Sequence, residues 1–394
     1  MNLLPTFSDD DTDSLPKNII VFSHLRWDFV YQRPQHLLTR FAKSRKIHFI
    51  EEPVFDATNE AFYSFSIISE NINVLVPHII PGLHPPQIEI VQINLFNNFM
   101  KGNDILNCGF WYYTPMALEF SRNHNPDLIV YDCMNDLSAF KFAPESIKIL
   151  EKELLKKADI VFTGGESLYE AKKNQHFNIY SFPSSIEKEH FSKAREISSC
   201  PADQINTSKP KLGFFGVIDE RFDIDLIKDL SNARKDWQFI FIGPVVKIDP
   251  DTLPTNDNIF YLGPKSYQEL PSYIATWDMA LIPFLLNEST RFISPTKTPE
   301  YLAAGLPVIS TPIKDVINPY SKNKLVQIGV NAEDFIQAAE HELNRSSILR
   351  QDWLKKVDEF LAKNSWDMTC NKMICLIKKA IKQKLVTSIS ESYV

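Results

Sequence analysis

Ten short apolar runs, five in each half of the chain, constrain the fold more than any other feature. In the first half they are 18–23, 46–50, 73–76, 128–131 and 159–162, and in the second 211–215, 238–242, 259–262, 279–283 and 307–310. Each has the length of a strand, and the stretches between carry helical patterns, so the chain alternates strand and helix. That alternation builds parallel sheets covered by helices on both faces. Several of the 11 glycines stand where a run hands over to a loop, at Gly164, Gly165, Gly213, Gly216, Gly243, Gly263 and Gly305. Such positions are tight strand-to-helix turns, and the pair Gly164-Gly165 also lets backbone amides approach an anion or acceptor, although a capped turn explains it equally well. The expected fold class is α/β, with two doubly wound Rossmann-like domains facing a cleft.

A chain of 394 residues is too long for one ordinary core and suits two domains. The polar, proline-flanked stretch 198–210 reads as the linker between them. The division expected is a disordered lead-in at 1–17, a first domain at 18–205, a second at 206–365 and a final helix at 366–394. In that helix Met368, Met373, Cys375, Leu376 and Ile377 alternate with lysines, an amphipathic pattern.

With 44% apolar and 23% charged residues, both halves have the composition of folded domains. A formal charge of −7 argues against broad nucleic-acid binding, which needs a basic surface. The five cysteines are odd in number and show no CxxC spacing, which points away from a disulfide framework or zinc site and toward a reducing cytoplasm. The N-terminus lacks a signal-peptide pattern, and no apolar run approaches the ~20 residues of a spanning helix. Membrane contact is therefore expected to be peripheral at most, at the inner face.

The stretch from Ser294 to Ile309, SPTKTPEYLAAGLPVI, combines a helix start, a cation, a carboxylate and a helix stop. Thr298 can cap the helix, Pro299 suits its first position and Gly305 its left-handed exit. Pro295 and Thr296 lead into that start, where amides and the partial positive charge of the helix favour a phosphate. Lys297 can neutralise the same group, and Glu300 can accept from the two hydroxyls of a ribose. Alternatively, Glu300 complements the helix dipole and Lys297 is a solvated charge. Two further strand ends face the same ligand. Gly216 follows one strand and Arg221 lies close behind it, in reach of phosphates; Gly263 ends another, with Tyr267 beyond it in place to frame a nucleobase. Asp223-Ile224-Asp225 has the DxD spacing of some metal sites, but it falls at a helix start, and no metal is expected.

The run from Pro295 to Ile309 resembles the donor-binding helix of GT-B glycosyltransferases. The resemblance implies a nucleotide diphosphate sugar as co-substrate, a UDP-sugar being favoured, with no other cofactor. It also implies a last helix that can cross back to the first domain, although a surface helix of the second domain fits the pattern equally. Many retaining members carry a second glutamate eight positions before the ribose-binding one; here that position is Phe292. The loop His24-Leu25-Arg26-Trp27-Asp28 through Arg33 looks like the acceptor-side loop of bacterial enzymes that build exopolysaccharide and related surface glycans.

An inverting transfer to a hydroxyl needs a base held at the acceptor oxygen. Asp132 is the first candidate, Asp136 the second and His24 the third, each at or just beyond a predicted strand end. Asp136 alternatively caps the helix that follows, and His24 alternatively serves as a structural histidine. Arg26 and Arg33 can bind an anionic acceptor, Trp27 can stack on a sugar, and Asp28 lies in the same loop. Packing of the aromatics under the loop is the competing reading. The expected reaction is sugar transfer to a glycan or lipid-linked acceptor. A sugar-nucleotide epimerase or hydrolase, or a non-catalytic binding protein, are the alternatives on the same fold.

Overall fold

The structure is a computed structural model, and it describes residues 15–103, 105, 107–204 and 209–392. The first sheet comprises β1 (Asn18–Phe22), β2 (Lys46–Ile50), β3 (Phe62–Ser69), β4 (Ile72–His78), β5 (Cys108–Tyr112), β6 (Leu128–Cys133), β7 (Ile160–Thr163) and β8 (Ile179–Ser181). Their order is β3-β4-β2-β1-β5-β6-β7-β8, and every pairing is parallel except β3 with β4. The second sheet comprises β9 (Lys211–Phe215), β10 (Gln238–Ile242), β11 (Ile259–Tyr261), β12 (Met279–Ile282), β13 (Val308–Ser310) and β14 (Gln327–Ile328). It is wholly parallel, in the order β11-β10-β9-β12-β13-β14. Winding reverses between β1 and β5 in one sheet and between β9 and β12 in the other. Loops diverge at such points and leave a crevice beyond the strand ends, where ligands bind.

β1, β5, β9 and β10 are built almost wholly of buried apolar residues, as strands covered on both faces must be. β3 is exposed along most of its length, as befits an edge.

The domain boundary differs from the expected residue 205. Ile186, Phe191 and Ala194 are buried in the core of the second domain, and Gln204 donates to the Tyr273 carbonyl at 3.1 Å. The second domain therefore gathers chain from Ile186 onward, and Asp203 and Gln204 of the expected linker already bond to it; residues 205–208 lie outside the described residues. At the N-terminus, Leu15 is buried in the first core, so the lead-in ends before residue 17; residues 1–14 lie outside the described residues.

The last helix, Trp366–Ser392, packs on the first domain. Trp366, Cys370, Met373, Ile377 and Ala380 recur at helical spacing and are buried in its core. Arg40 meets Asp367 at 3.0 Å, and Lys384 meets Asp159 at 3.0 Å. No helix among the described residues is long and apolar enough to cross a membrane.

A polar and aromatic joint ties the domains together at the crossover. Glu187 accepts from Tyr267 at 3.1 Å and Arg40 at 3.3 Å, and lies 3.5 Å from Nδ1 of His36. His36 stacks on Trp366 with ring centroids 4.6 Å apart, and Tyr267 stacks on His190 at 4.3 Å. His36, then Tyr267 and Arg40, hold the Glu187 carboxyl down to about 2. A depressed carboxyl stabilises the fold fully above its unfolded value of ~4.3 and loses that contribution as pH falls toward the folded one. Urea denaturation between pH 5 and pH 2 should therefore show a flatter acid limb for Glu187→Gln than for the unsubstituted protein. Parallel limbs would remove Glu187 from the acid response.

Candidate active site

The two switch points face each other across the cleft, and two connected cavities lie there, sharing Val30, Gly216 and Lys297 in their walls. One, of about 130 Å³, is bounded by Met134, Asn135, Gly164 and Ser184 from the first domain's side and by Arg221 and Ser294 to Lys297 from the second's. The other, of about 260 Å³, runs between Trp27 to Tyr31 and the ends of β10 and β11. A shallow hollow of about 660 Å³ between helices Ile224–Ala233 and Ala332–Leu343 lies away from the strand ends and has no part in the site.

The donor segment forms a helix at Lys297–Ala303, two residues earlier than Pro299 would set it. Thr296, not Thr298, holds the N-cap position and makes no capping hydrogen bond with its side chain; the Thr298 hydroxyl is buried without a partner. Pro295 and Thr296 line the smaller cavity. Gly305 takes φ +79°, a left-handed exit that lets the chain turn into β13. Lys297 reaches Glu300 Oε2 at 3.1 Å and lies over the Phe215 ring, 4.7 Å from its centroid. Burial raises the Glu300 carboxyl, against the pull of Lys297. Lys297, partly buried, thus lines both cavities and is paired with the buried Glu300.

Glycines make room for it. A Cβ on Gly216 would lie 3.3 Å from Cε of Lys297, and a Cβ on Gly243 would lie 1.8 Å from the Gly216 carbonyl oxygen. Both turn with positive φ, +148° and +144°. Backbone at the ends of β9 and β10 therefore approaches the cavity more closely than any side chain would allow. Gly263 takes φ +66° and accepts from the Gly243 amide at 2.9 Å, which sets the next turn. Tyr267 lines the larger cavity, but its ring is stacked and its hydroxyl is given to Glu187, so it is a wall and not a reader of a base edge. Arg221 is held by Asp219, Nη2 to Oδ2 at 2.6 Å, with the Phe140 ring of the first domain 5.5 Å from its Cζ. Lys247 also lies over the Phe140 ring, its Nζ 5.4 Å from the centroid.

The first-domain candidates separate sharply. Asp132 lies within β6 and is fully buried, receiving two bonds from Nε of Arg33 at 3.0 and 3.1 Å and one from Nη2 at 2.8 Å. Nη1 of Arg33 donates to the Phe182 carbonyl at 2.6 Å, and Arg33 is 1% exposed. Asp132 is shut off from any acceptor; Arg33 borders the smaller cavity, but its guanidinium is committed to Asp132 and the Phe182 carbonyl, and the pair ties the helix Arg33–Phe41 to β6. Trp27 borders the larger cavity but is buried, its ring packed edge-on to Phe49 at 5.1 Å, so it is a core residue and not a free platform for a sugar. Arg26 is tied down by Glu51 Oε2 at 2.8 Å and by the Glu52 carbonyl at 2.7 Å, holding the loop in place of an acceptor anion. Asp28 is exposed on the wall of the larger cavity. Asp136 is half-buried, and its Oδ1 accepts from the amide and hydroxyl of Ser138, at 3.3 and 2.8 Å. His24 is half-buried with Nδ1 enclosed and unpartnered, and burial pushes it down to about 4. Asp223 caps the helix Ile224–Ala233 through the Leu226 amide at 3.0 Å, a structural duty for the DxD-like pair.

Sequence reasoning passed over Glu187, Phe140, Lys247 and Asp315. Asp315 was the most accessible of these, because it follows the predicted strand 307–310 and every strand end faces the cleft.

This arrangement is a cleft between two facing Rossmann-like domains, the architecture of GT-B glycosyltransferases. Residues 209–345 match the family model of Glycosyl transferases group 1. The "Putative teichuronic acid biosynthesis glycosyltransferase TuaH" of Bacillus subtilis (strain 168) is 25% identical over 279 residues, covering 62% of this chain and 69% of that protein. Among solved structures, sucrose-phosphate synthase from Thermosynechococcus elongatus superposes with a TM-score of 0.68 at 13% identity, over 94% of this chain and 100% of that one. An E. coli structure described as trehalose-6-phosphate bound with UDP-2-fluoro glucose gives 0.63 at 12% identity, over 92% and 99%. At such identities the superpositions speak for the fold. The chain is a GT-B glycosyltransferase, and its second domain carries the group 1 sequence pattern.

Proposed function

We propose that this enzyme takes a sugar from a nucleotide diphosphate sugar, a UDP-sugar in preference, and places it on a hydroxyl of a bacterial surface glycan or its lipid-linked precursor, without a metal ion. The observation that carries this reading is Lys297, which lines both cavities beside the backbone of Gly216 and pairs at 3.1 Å with the buried Glu300. The backbone there can approach a diphosphate, Lys297 and Arg221 supply its countercharge, and Glu300 can turn from Lys297 to ribose hydroxyls. The named relative acts in teichuronic acid biosynthesis, which supports a surface-glycan acceptor. A solved structure of the same fold holds UDP-2-fluoro glucose, which supports a uridine donor.

With Asp132 buried, the base passes to Asp136, the second candidate, on the loop whose Phe140 lies against Arg221. The acceptor hydroxyl gives its proton to Asp136 as its oxygen bonds to the anomeric carbon, and the nucleoside diphosphate leaves with the bonding pair. A thermal-shift panel of nucleotide sugars tests the donor, since a ligand at about 100 times its Kd adds roughly 2.7 kcal/mol to native stability. UDP-sugars are expected to raise Tm, and a response confined to other nucleotides would exclude the uridine assignment. Asp136→Asn should keep that shift while turnover falls about 100-fold or more. Undiminished turnover would remove Asp136 from the chemistry.

A further inference from the structure

Next to the donor segment, the second domain presses on the first at a point outside both cavities' chemistry. Asp315 stands just beyond β13, and its Oδ1 accepts from the backbone amide of Ser167 at 3.0 Å, across the domain interface. Asp315 is only 6% exposed. Gly165, just before Ser167, has extended backbone at φ −171°, which any residue adopts. A Cβ there would nevertheless lie 2.2 Å from Asp315 Oδ2 and 2.8 Å from Cβ of Ser294. Its glycine is therefore required by the approach of the other domain and not by its own conformation. Two positions before Ser294, Phe292 packs against the core of the first domain. The Gly pair at 164–165, expected from sequence to receive an anion or acceptor, receives a carboxylate of this same chain.

We infer that the Asp315 carboxylate on the Ser167 amide, seated against Gly165, is an interdomain latch that sets the width of the cleft. Ser294 and Gly164 both line the smaller cavity, so the latch fixes the donor segment's distance from the first-domain wall. Asp315 is a positioning residue. The inference rests on the transferase reading only for its consequence, since cleft width can be measured without a substrate.

Small-angle scattering of the full chain, with UDP calorimetry as a second arm, tests it. Gly165→Ala and Asp315→Ala should each raise the radius of gyration by about 0.5 Å or more above the roughly 21 Å expected of a compact chain of this length. The double variant should open no further than the wider single one, because both act on one contact. Asp315→Asn, which keeps an acceptor for the Ser167 amide, should scatter as the unsubstituted protein does. UDP affinity should stay within about twofold throughout, as the donor clamp lies in the second domain. Unchanged scattering in both alanine variants, with circular dichroism showing them folded, would overturn the latch. So would opening by Asp315→Asn as large as by Asp315→Ala. Failure of UDP to bind the unsubstituted protein would count against the donor reading and leave the scattering result standing.

Discussion

Replacing Asp132 with alanine should cost the fold about 3–5 kcal/mol, the scale for removing one partner of a buried ion pair. Arg33 would keep the Phe182 carbonyl at 2.6 Å but lose all three bonds to the carboxylate while remaining shut away from water. Urea denaturation reads the loss directly. Asp132→Asn keeps the shape and two acceptor lone pairs and should lose less. An alanine variant that unfolds at the unsubstituted protein's urea midpoint, yet turns over slowly, would return Asp132 to the chemistry.

Lys297→Ala should weaken UDP binding by about 1.5–3 kcal/mol, the range for a hydrogen bond to a charged group. That is roughly 10- to 150-fold in Kd. Uridine, lacking the diphosphate, should lose far less. The fold should survive, because burial already raises the Glu300 carboxyl, and a carboxyl deprived of its cation can take up a proton instead of remaining charged. Calorimetry with both ligands checks the difference. Equal losses for UDP and uridine would show that Lys297 acts by shaping the pocket and not by meeting phosphate.

The donor helix was legible because its determinants are local: a cation, a carboxylate, a glycine at φ +79° and a strand all lie within sixteen residues of sequence, from Ser294 to Ile309. Its start was misplaced by two residues because Thr298 and Pro299 both fit a helix start on sequence rules, whereas packing buried them inside the helix. The Arg33–Asp132 pair was illegible for the opposite reason. Its partners are 99 residues apart, and nothing in either segment shows that one charge cancels the other. A carboxylate at a strand end therefore looked free when it was structural. The domain boundary failed in the same way: the polar residues 198–210 resemble a linker, but Ile186 and Phe191 had already crossed into the other core.

Among the strands, β5 escaped notice because Cys108-Gly109-Phe110-Trp111-Tyr112 shows neither alternation nor a β-branched residue, and its glycine seems misplaced in a strand interior. A Cβ there would meet Pro16 at 3.4 Å and Leu128 at 3.5 Å, ordinary packing distances, so nothing in its surroundings demands the glycine. β3 escaped because an exposed edge strand buries too little to impose a pattern. Latch residues lay beyond sequence in a further sense. Gly165 looked like a ligand-binding turn, and only the juxtaposition of the two domains shows that the second domain fills the space.

The most direct test of glycosyl transfer is release of nucleoside diphosphate from a UDP-sugar panel, with and without a bacterial glycan or lipid extract as acceptor. Release should depend on the acceptor and fall with Lys297→Ala, with sugar appearing on the acceptor in equal amount. Conversion of one nucleotide sugar into another without acceptor, or release that the extract does not stimulate, would contradict the account.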